Sequence, residues 1–316
     1  MTVAVSESSK PATSKTLLLV AFATVYVVWG STYLAIRIAV EHWPPLWMAA
    51  VRFAIAGGGL YAVLRLRGAP APGWRAWGAA AVVGGLMLAG GNGTVCWAEQ
   101  WVPSGETALI LAAGPLWTVL LPWIFRKARA PGPLVALGVL VGLVGVGVLI
   151  GGPAQAVAPT AGALAAGHAS LWARLSLLGA SLSWVIGSLI AHRMPLPKSA
   201  ALATAMEMVV ACPILAVAAV AHGDLAHFHL ASIPASGWTA LAYLVVFGSL
   251  AGFGSYIYVL VHAGPTRAST GAFVNPLIAV VLGAALAGEP IGARTAVAAA
   301  MIIAAVAGVI LGTSRR

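Results

Sequence analysis

Apolar residues fill this chain in long blocks from Leu17 to Gly312, and polar residues gather in short joints at nearly regular intervals. The blocks fall at 17–40, 45–66, 76–98, 104–125, 133–151, 170–191, 199–221, 236–262, 266–287 and 291–312. Each is close to the roughly 20 residues that a helix needs to cross the hydrocarbon core of a bilayer. Transmembrane strands would show segments of about ten residues with alternating character, whereas these blocks are longer and apolar on every face. The pattern predicts an all-α integral membrane protein with ten transmembrane helices. It leaves no stretch for a soluble catalytic domain.

Composition agrees: 61% of residues are hydrophobic and 8% charged, against about 25% charged in soluble domains. The formal net charge of +10 raises the question of a nucleic-acid partner, and its distribution answers it. With a cytoplasmic N-terminus, 13 of the 17 Lys and Arg residues fall on inner joints and tails, from Lys10 and Lys15 through Arg126, Lys127 and Arg129 to Arg315 and Arg316. The other four are Arg37, Arg52, Arg174 and Arg294. This positive-inside bias predicts both termini in the cytoplasm and implies no nucleic acid. Ala21-Phe22-Ala23 faintly resembles a signal cleavage site, but the apolar block continues past it, so the first helix is read as retained. Cys96 and Cys212 lie in separate blocks without metal-ligand spacing and read as small apolar filler.

The two halves echo each other. Trp29-Gly30-Ser31 in the first helix is matched by Trp184 and Gly187-Ser188 in the sixth, and Gly114-Pro115 in the fourth by Asn275-Pro276 in the ninth. The chain therefore divides into a tail over 1–16, a first five-helix repeat over 17–151, a linker over 152–169, a second repeat over 170–312 and a tail over 313–316. Five helices per half is an odd number, so the second half enters from the opposite side and the repeats are inverted. Inverted repeats place a binding site near the membrane midplane, and matched helix interruptions point to it. Pro115 and Pro276 are the expected interruptions, since each removes a backbone hydrogen bond. Glycine pairs four residues apart, at Gly138/Gly142, Gly147/Gly151 and Gly248/Gly252, fit close helix packing. A monomer or a homodimer would both accommodate them.

At these residues the chain resembles the drug/metabolite transporter superfamily, and within it the bacterial EamA-domain permeases. The resemblance runs through Trp29 to Arg37, Pro44-Pro45, Arg52-Phe53, Ala98-Glu99-Gln100 and Val102-Pro103-Ser104-Gly105, then Asn275-Pro276 and Gly288-Glu289-Pro290. It covers helices 1 to 4 and 8 to 10, while helices 6 and 7 match mainly in hydropathy. It implies a ten-helix inverted-repeat carrier of the bacterial cytoplasmic (inner) membrane, with a central cavity, that usually exports small metabolites, amino acids or drugs. Glu106 and Glu207 depart from the apolar residue and the amide more familiar at those places.

Ionisable groups inside a bilayer are costly and each calls for an explanation. Arg52 lies about 12 Å inside the second helix, and Glu99 and Glu106 flank the outer joint between helices 3 and 4. An ion pair between Arg52 and one of these carboxylates is expected, either as a gate or as a static lock. Glu106 could instead favour the positive end of helix 4. Glu207, about 12 Å into helix 7 with no nearby cation in sequence, is either a proton-coupling acid or a neutral acid bonded to the next helix.

Eight of the 12 tryptophans, Trp43 among them, fall near helix ends as interfacial anchors, while Trp29, Trp117 and Trp184 lie deeper. With Asn92, Tyr256 and Asn275 they are the expected lining of a cavity for moderately apolar solutes. Trp117 shares a helical stripe with Glu106, Ile110 and Gly114. His222, Asp224, His227 and His229 do not follow a recognised ligand spacing and read as a solvated loop, so neither metal nor cofactor is expected. No nucleotide-binding or hydrolase motif stands out, and the chain is read as a non-enzyme. The expected function is secondary active export of small organic metabolites, amino acids or related compounds, by alternating access. Proton-coupled efflux of lipophilic cationic drugs is the alternative, with an intramembrane lipid-modifying enzyme behind it.

Overall fold

The computed structural model describes residues 14–125, 130–152, 163–226, 228–268 and 270–314. Lys10, Arg126, Lys127, Arg129, His227, Arg315, Arg316 and most of the expected 152–169 linker lie outside them. Among the described residues the secondary structure is helical throughout, without strands. Ten spans follow one another: α1 (Lys15–Val40), α2 (Pro45–Leu66), α3 (Trp74–Ala98), α4 (Ser104–Ile124), α5 (Pro133–Ile150), α6 (Ala163–Ala191), α7 (Ala200–His222), α8 (Ala235–Ala263), α9 (Gly271–Ala287) and α10 (Ala293–Ser314). Nine contain a window apolar and long enough to cross a bilayer; α9, at 17 residues, is the shortest span.

Local chemistry marks the ends. Ser14 and Ser199 accept hydrogen bonds from the backbone N–H of Leu17 and Leu202, capping α1 and α7. Pro45 and Pro133 open α2 and α5, where a missing N–H costs nothing. Gly223 and Gly288 follow α7 and α9 with φ of 82° and 64°, a left-handed turn that side chains resist.

The packing has the two-fold character expected of a repeat. Counting five spans per half, α2 packs on its own counterpart α7, and α5 on its counterpart α10. The contact of α1 with α8 is mirrored by α6 with α3, and that of α1 with α9 by α6 with α4. Side chains such as Met48, Phe53, Leu109, Leu116, Leu177 and Leu244 fill the interior. Leu19, Leu140, Val217, Val281 and Leu286 point outward and are exposed, as lipid-facing residues must be.

The main irregularities are also paired, although not where the prolines suggest. Both α3 and α8 widen into a π-helix, at Gly85–Gly93 and Leu244–Ala251, roughly two and a half to three turns from their starts. By contrast, α4 breaks at Ala112–Ala113 and restarts at Gly114 with Pro115 in its new first turn, whereas α9 runs helically through Pro276. The break also separates Glu106 and Ile110 from Gly114 and Trp117, so the stripe expected along α4 is not continuous.

Candidate functional site at the paired π segments

Arg52, on α2, is 3% exposed and reaches both π segments. Its Nε donates to Ser249 Oγ at 2.9 Å, in the α8 segment, and its Nη1 to Asn92 Oδ1 at 3.3 Å, in the α3 segment. One guanidinium thus bridges the two repeats. A β-carbon on Gly248 would sit 3.2 Å from Arg52 Nη2, so the missing side chain there admits the guanidinium. Cys96 Sγ donates to the same Asn92 oxygen at 3.7 Å, and both cysteines are free thiols.

The aromatic residues attach to this core through the π backbone. Trp29 Nε1 donates to the Gly248 carbonyl at 3.3 Å, and the indole lies 5.0 Å from the Tyr256 ring and 5.3 Å from Phe253. On the other repeat, Ser183 Oγ donates to the Leu86 carbonyl at 2.7 Å, and Trp184 packs over Gly91 beside Asn92. A π turn lifts carbonyls out of the usual ladder, and such turns are frequent at functional sites. Of the expected lining, Asn92 touches Arg52 directly, Trp29 reaches the neighbouring Gly248 carbonyl with Tyr256 against its ring, and Trp184 lies over Gly91. Trp117 and Asn275 do not join those contacts: Trp117 Nε1 and Asn275 Oδ1 are buried without a hydrogen-bond partner among the described residues. A groove of about 430 Å³ opens between α2, α3 and α7, lined by Gly85, Gly90 and Trp97 among others. It borders the α3 segment without touching the six expected lining residues.

The expected pairing of Arg52 with Glu99 or Glu106 is not formed. Glu106 pairs instead with Arg174 on α6, Nε to Oε1 at 2.8 Å, and both side chains are 2% exposed. The start of α4 is held by Glu289, which accepts from the backbone N–H of Ser104 at 2.8 Å and Gly105 at 3.1 Å, a placement that complements the helix dipole. Glu99 lies outside the spans, fully buried, with neither carboxylate oxygen hydrogen-bonded among the described residues. Burial first, and then the Glu289 carboxylate, hold Glu99 well above the usual carboxylate range, against the opposing pull of Arg37. These groups form a charged seam at one end of α1, α3, α4, α6 and α9.

Asp224 ties down the loop after α7. Its Oδ1 lies 2.7 Å from His222 Nδ1, and its Oδ2 accepts from the Leu46 N–H at 3.3 Å at the start of α2. No metal-holding group occurs among the described residues. Trp43, read from its position as an interfacial anchor, is 3% exposed and packs on Phe228 and Trp238. Glu207 is half-buried on α7, and its carboxylate makes no ion pair among the described residues. The bridge from Arg52 to Ser249 and the paired π segments escaped the sequence reading. Gly90-Gly91-Asn92-Gly93 was the available hint, because clustered glycines permit close backbone approach.

Ten helices in two mirrored sets, meeting at matched irregular segments with a buried polar core, define a two-repeat membrane transporter fold. The chain belongs to the EamA-like transporter family, whose model matches residues 15–151 and 171–311. It is 39% identical over 295 residues to the "Uncharacterized inner membrane transporter YedA" of Escherichia coli (strain K12), covering 92% of this chain and 90% of that protein. It is 23% identical over 286 residues to the "Probable amino-acid metabolite efflux pump" of Salmonella typhimurium, covering 89% and 90% respectively. A solved crystal structure superposes with a TM-score of 0.60 at 21% identity, covering 96% of this chain and 99% of that one. That likeness concerns the fold.

Proposed function

We propose that this protein is a secondary transporter of the cytoplasmic membrane, with both termini inside, that exports small organic metabolites by alternating access. The observation that carries this reading is the Arg52 bridge: a buried polar contact joining the π segments of opposite repeats. A packed bundle without a transport role has little reason to keep a guanidinium there, whereas a carrier needs a polar centre that both halves can grip and release. The names of the relatives, an inner membrane transporter and an amino-acid metabolite efflux pump, support the membrane and the solute class. Lipid and a small solute are the partners in this reading, and a gradient supplies the energy.

Cation efflux is less well supported, because Glu106 is engaged by Arg174. Glu207 keeps the proton-coupling role as part of the proposal: a half-buried acid on α7 without an ion-pair partner among the described residues. Counterflow in proteoliposomes, with amino acids, sugars and quaternary amines inside and out, tests the transport reading. Exchange above protein-free liposomes supports it, and product formation from a lipid without any solute flux would replace it with an enzyme. Repeating the assay under an imposed pH gradient tests coupling. Glu207→Gln is expected to abolish the gradient dependence; an unchanged dependence removes that role.

A further inference from the structure

Arg52 carries a positive charge that the protein itself leaves unbalanced. Its two hydrogen-bond acceptors, Ser249 Oγ and Asn92 Oδ1, are neutral. Among the described residues no carboxylate lies within 4.0 Å of it. The acids are engaged or placed elsewhere: Glu106 with Arg174, Glu41 with Arg37, Asp224 with His222, and Glu289 on the start of α4. Glu99 lies at the end of α3 under the influence of Glu289 and Arg37, and Glu207 sits on α7. A guanidinium offers five N–H donors, and Nη2 donates to no described residue. Nη2 lies against Gly248, where a β-carbon would sit 3.2 Å from it.

A buried charge without a counter-charge is strongly disfavoured, so its retention at the junction of the repeats calls for an anion that arrives from outside the chain. We infer that Arg52, held by Asn92 and Ser249, is the receptor for a carboxylate on the transported solute. This inference rests on the transport reading and names the chemistry of its site. The planar fork of a guanidinium matches a carboxylate with two parallel hydrogen bonds, which an ammonium cannot reproduce. The solute arrives with the missing negative charge, and both π segments are then tied through Arg52 to the same ligand.

The test is counterflow by wild-type protein and by Arg52→Lys and Arg52→Gln in proteoliposomes. Matched probes are leucine and leucinamide, phenylacetate and phenylacetamide, and tetraphenylphosphonium. Wild type is expected to exchange at least one acid about tenfold or more faster than its amide, and to exclude the phosphonium. Arg52→Gln is expected to lose the preference for the acid, while Arg52→Lys retains part of it with a weakened apparent affinity. A monodisperse elution profile and an unchanged melting temperature separate lost recognition from misfolding. If Arg52→Gln fails that check, Ser249→Ala and Asn92→Ala take its place, each expected to raise the KM for the acid severalfold. Equal exchange of acid and amide by wild type overturns the inference and leaves the transport reading standing, as does an acid preference that survives in Arg52→Gln. Flux of no probe in wild type overturns the inference, and the transport reading falls with it only if the wider panel of amino acids, sugars and quaternary amines gives no exchange either.

Discussion

The buried pair of Glu106 and Arg174 shows what a position in sequence can and cannot convey. Depth along a helix is readable from residue count, which is why Arg52, Glu99 and Glu106 stood out as costly groups. Which way a side chain points around the bundle is not readable, and so Arg52 was matched with the wrong partners. Because both members of the actual pair are 2% exposed, removing one strands the other. Glu106→Gln and Arg174→Met are each expected to cost about 3–5 kcal/mol, while the double change to apolar residues recovers most of that. Thermal unfolding in detergent would measure all three. Glu99 offers a pH test. Its carboxyl binds its proton more tightly when folded, mainly through burial. Stability should therefore fall as pH climbs from the ordinary carboxylate range toward the folded value. Glu99→Gln should flatten that decline in melting curves taken between about pH 5 and pH 8; an equally steep decline would show that the carboxyl is not responsible.

Helix starts and stops were largely legible, because short polar joints bound each apolar block. The π segments were not, since widening a helix by one residue depends on what packs against it. Ser183 on the Leu86 carbonyl and Trp29 on the Gly248 carbonyl are such contacts, and each comes from the opposite repeat. Glycine spacing likewise says that approach is possible without saying which glycine uses it. A β-carbon at Gly84 would meet the Glu207 carbonyl oxygen at 2.5 Å, and one at Gly57 the Met208 β-carbon at 2.5 Å. Gly58 and Gly59, the next two residues, face open space. Gly84→Ala and Gly57→Ala should therefore destabilise by about 1–3 kcal/mol through overpacking against α7. Gly58→Ala and Gly59→Ala should leave the melting temperature unchanged or raise it slightly. If all four behaved alike, the α2–α7 and α3–α7 contacts would be looser than described.

The count of spans followed from hydropathy because the bilayer imposes one length on every crossing, and the division into halves from the echo of Trp29-Gly30-Ser31 in Trp184 and Gly187-Ser188. The mirrored contacts, α1 with α8 against α6 with α3, needed three dimensions. Ten crossings require both ends of the chain on one face of the membrane. Epitope tags at either terminus should be protected together in sealed right-side-out cells and exposed together after permeabilisation. Tags that report opposite faces would remove a span from the scheme.

Mirror symmetry in the backbone does not extend to the fastenings. Glu289 and Asp224, both from the second half, seat on the first turns of α4 and α2 in the first half. Under the proposed orientation both clasps lie on the outer face. The opposite face is joined by the Tyr26–Thr270 hydroxyl contact and by two apolar clusters, one around Val25 and Val259 and one of Ala80, Leu202 and Met206. In the proposed export cycle, opening toward the periplasm therefore requires both carboxylate clasps to release. Undoing the two carboxylate clasps is then the toll on each outward stroke, and weakening either one should make the empty protein leak between its two postures.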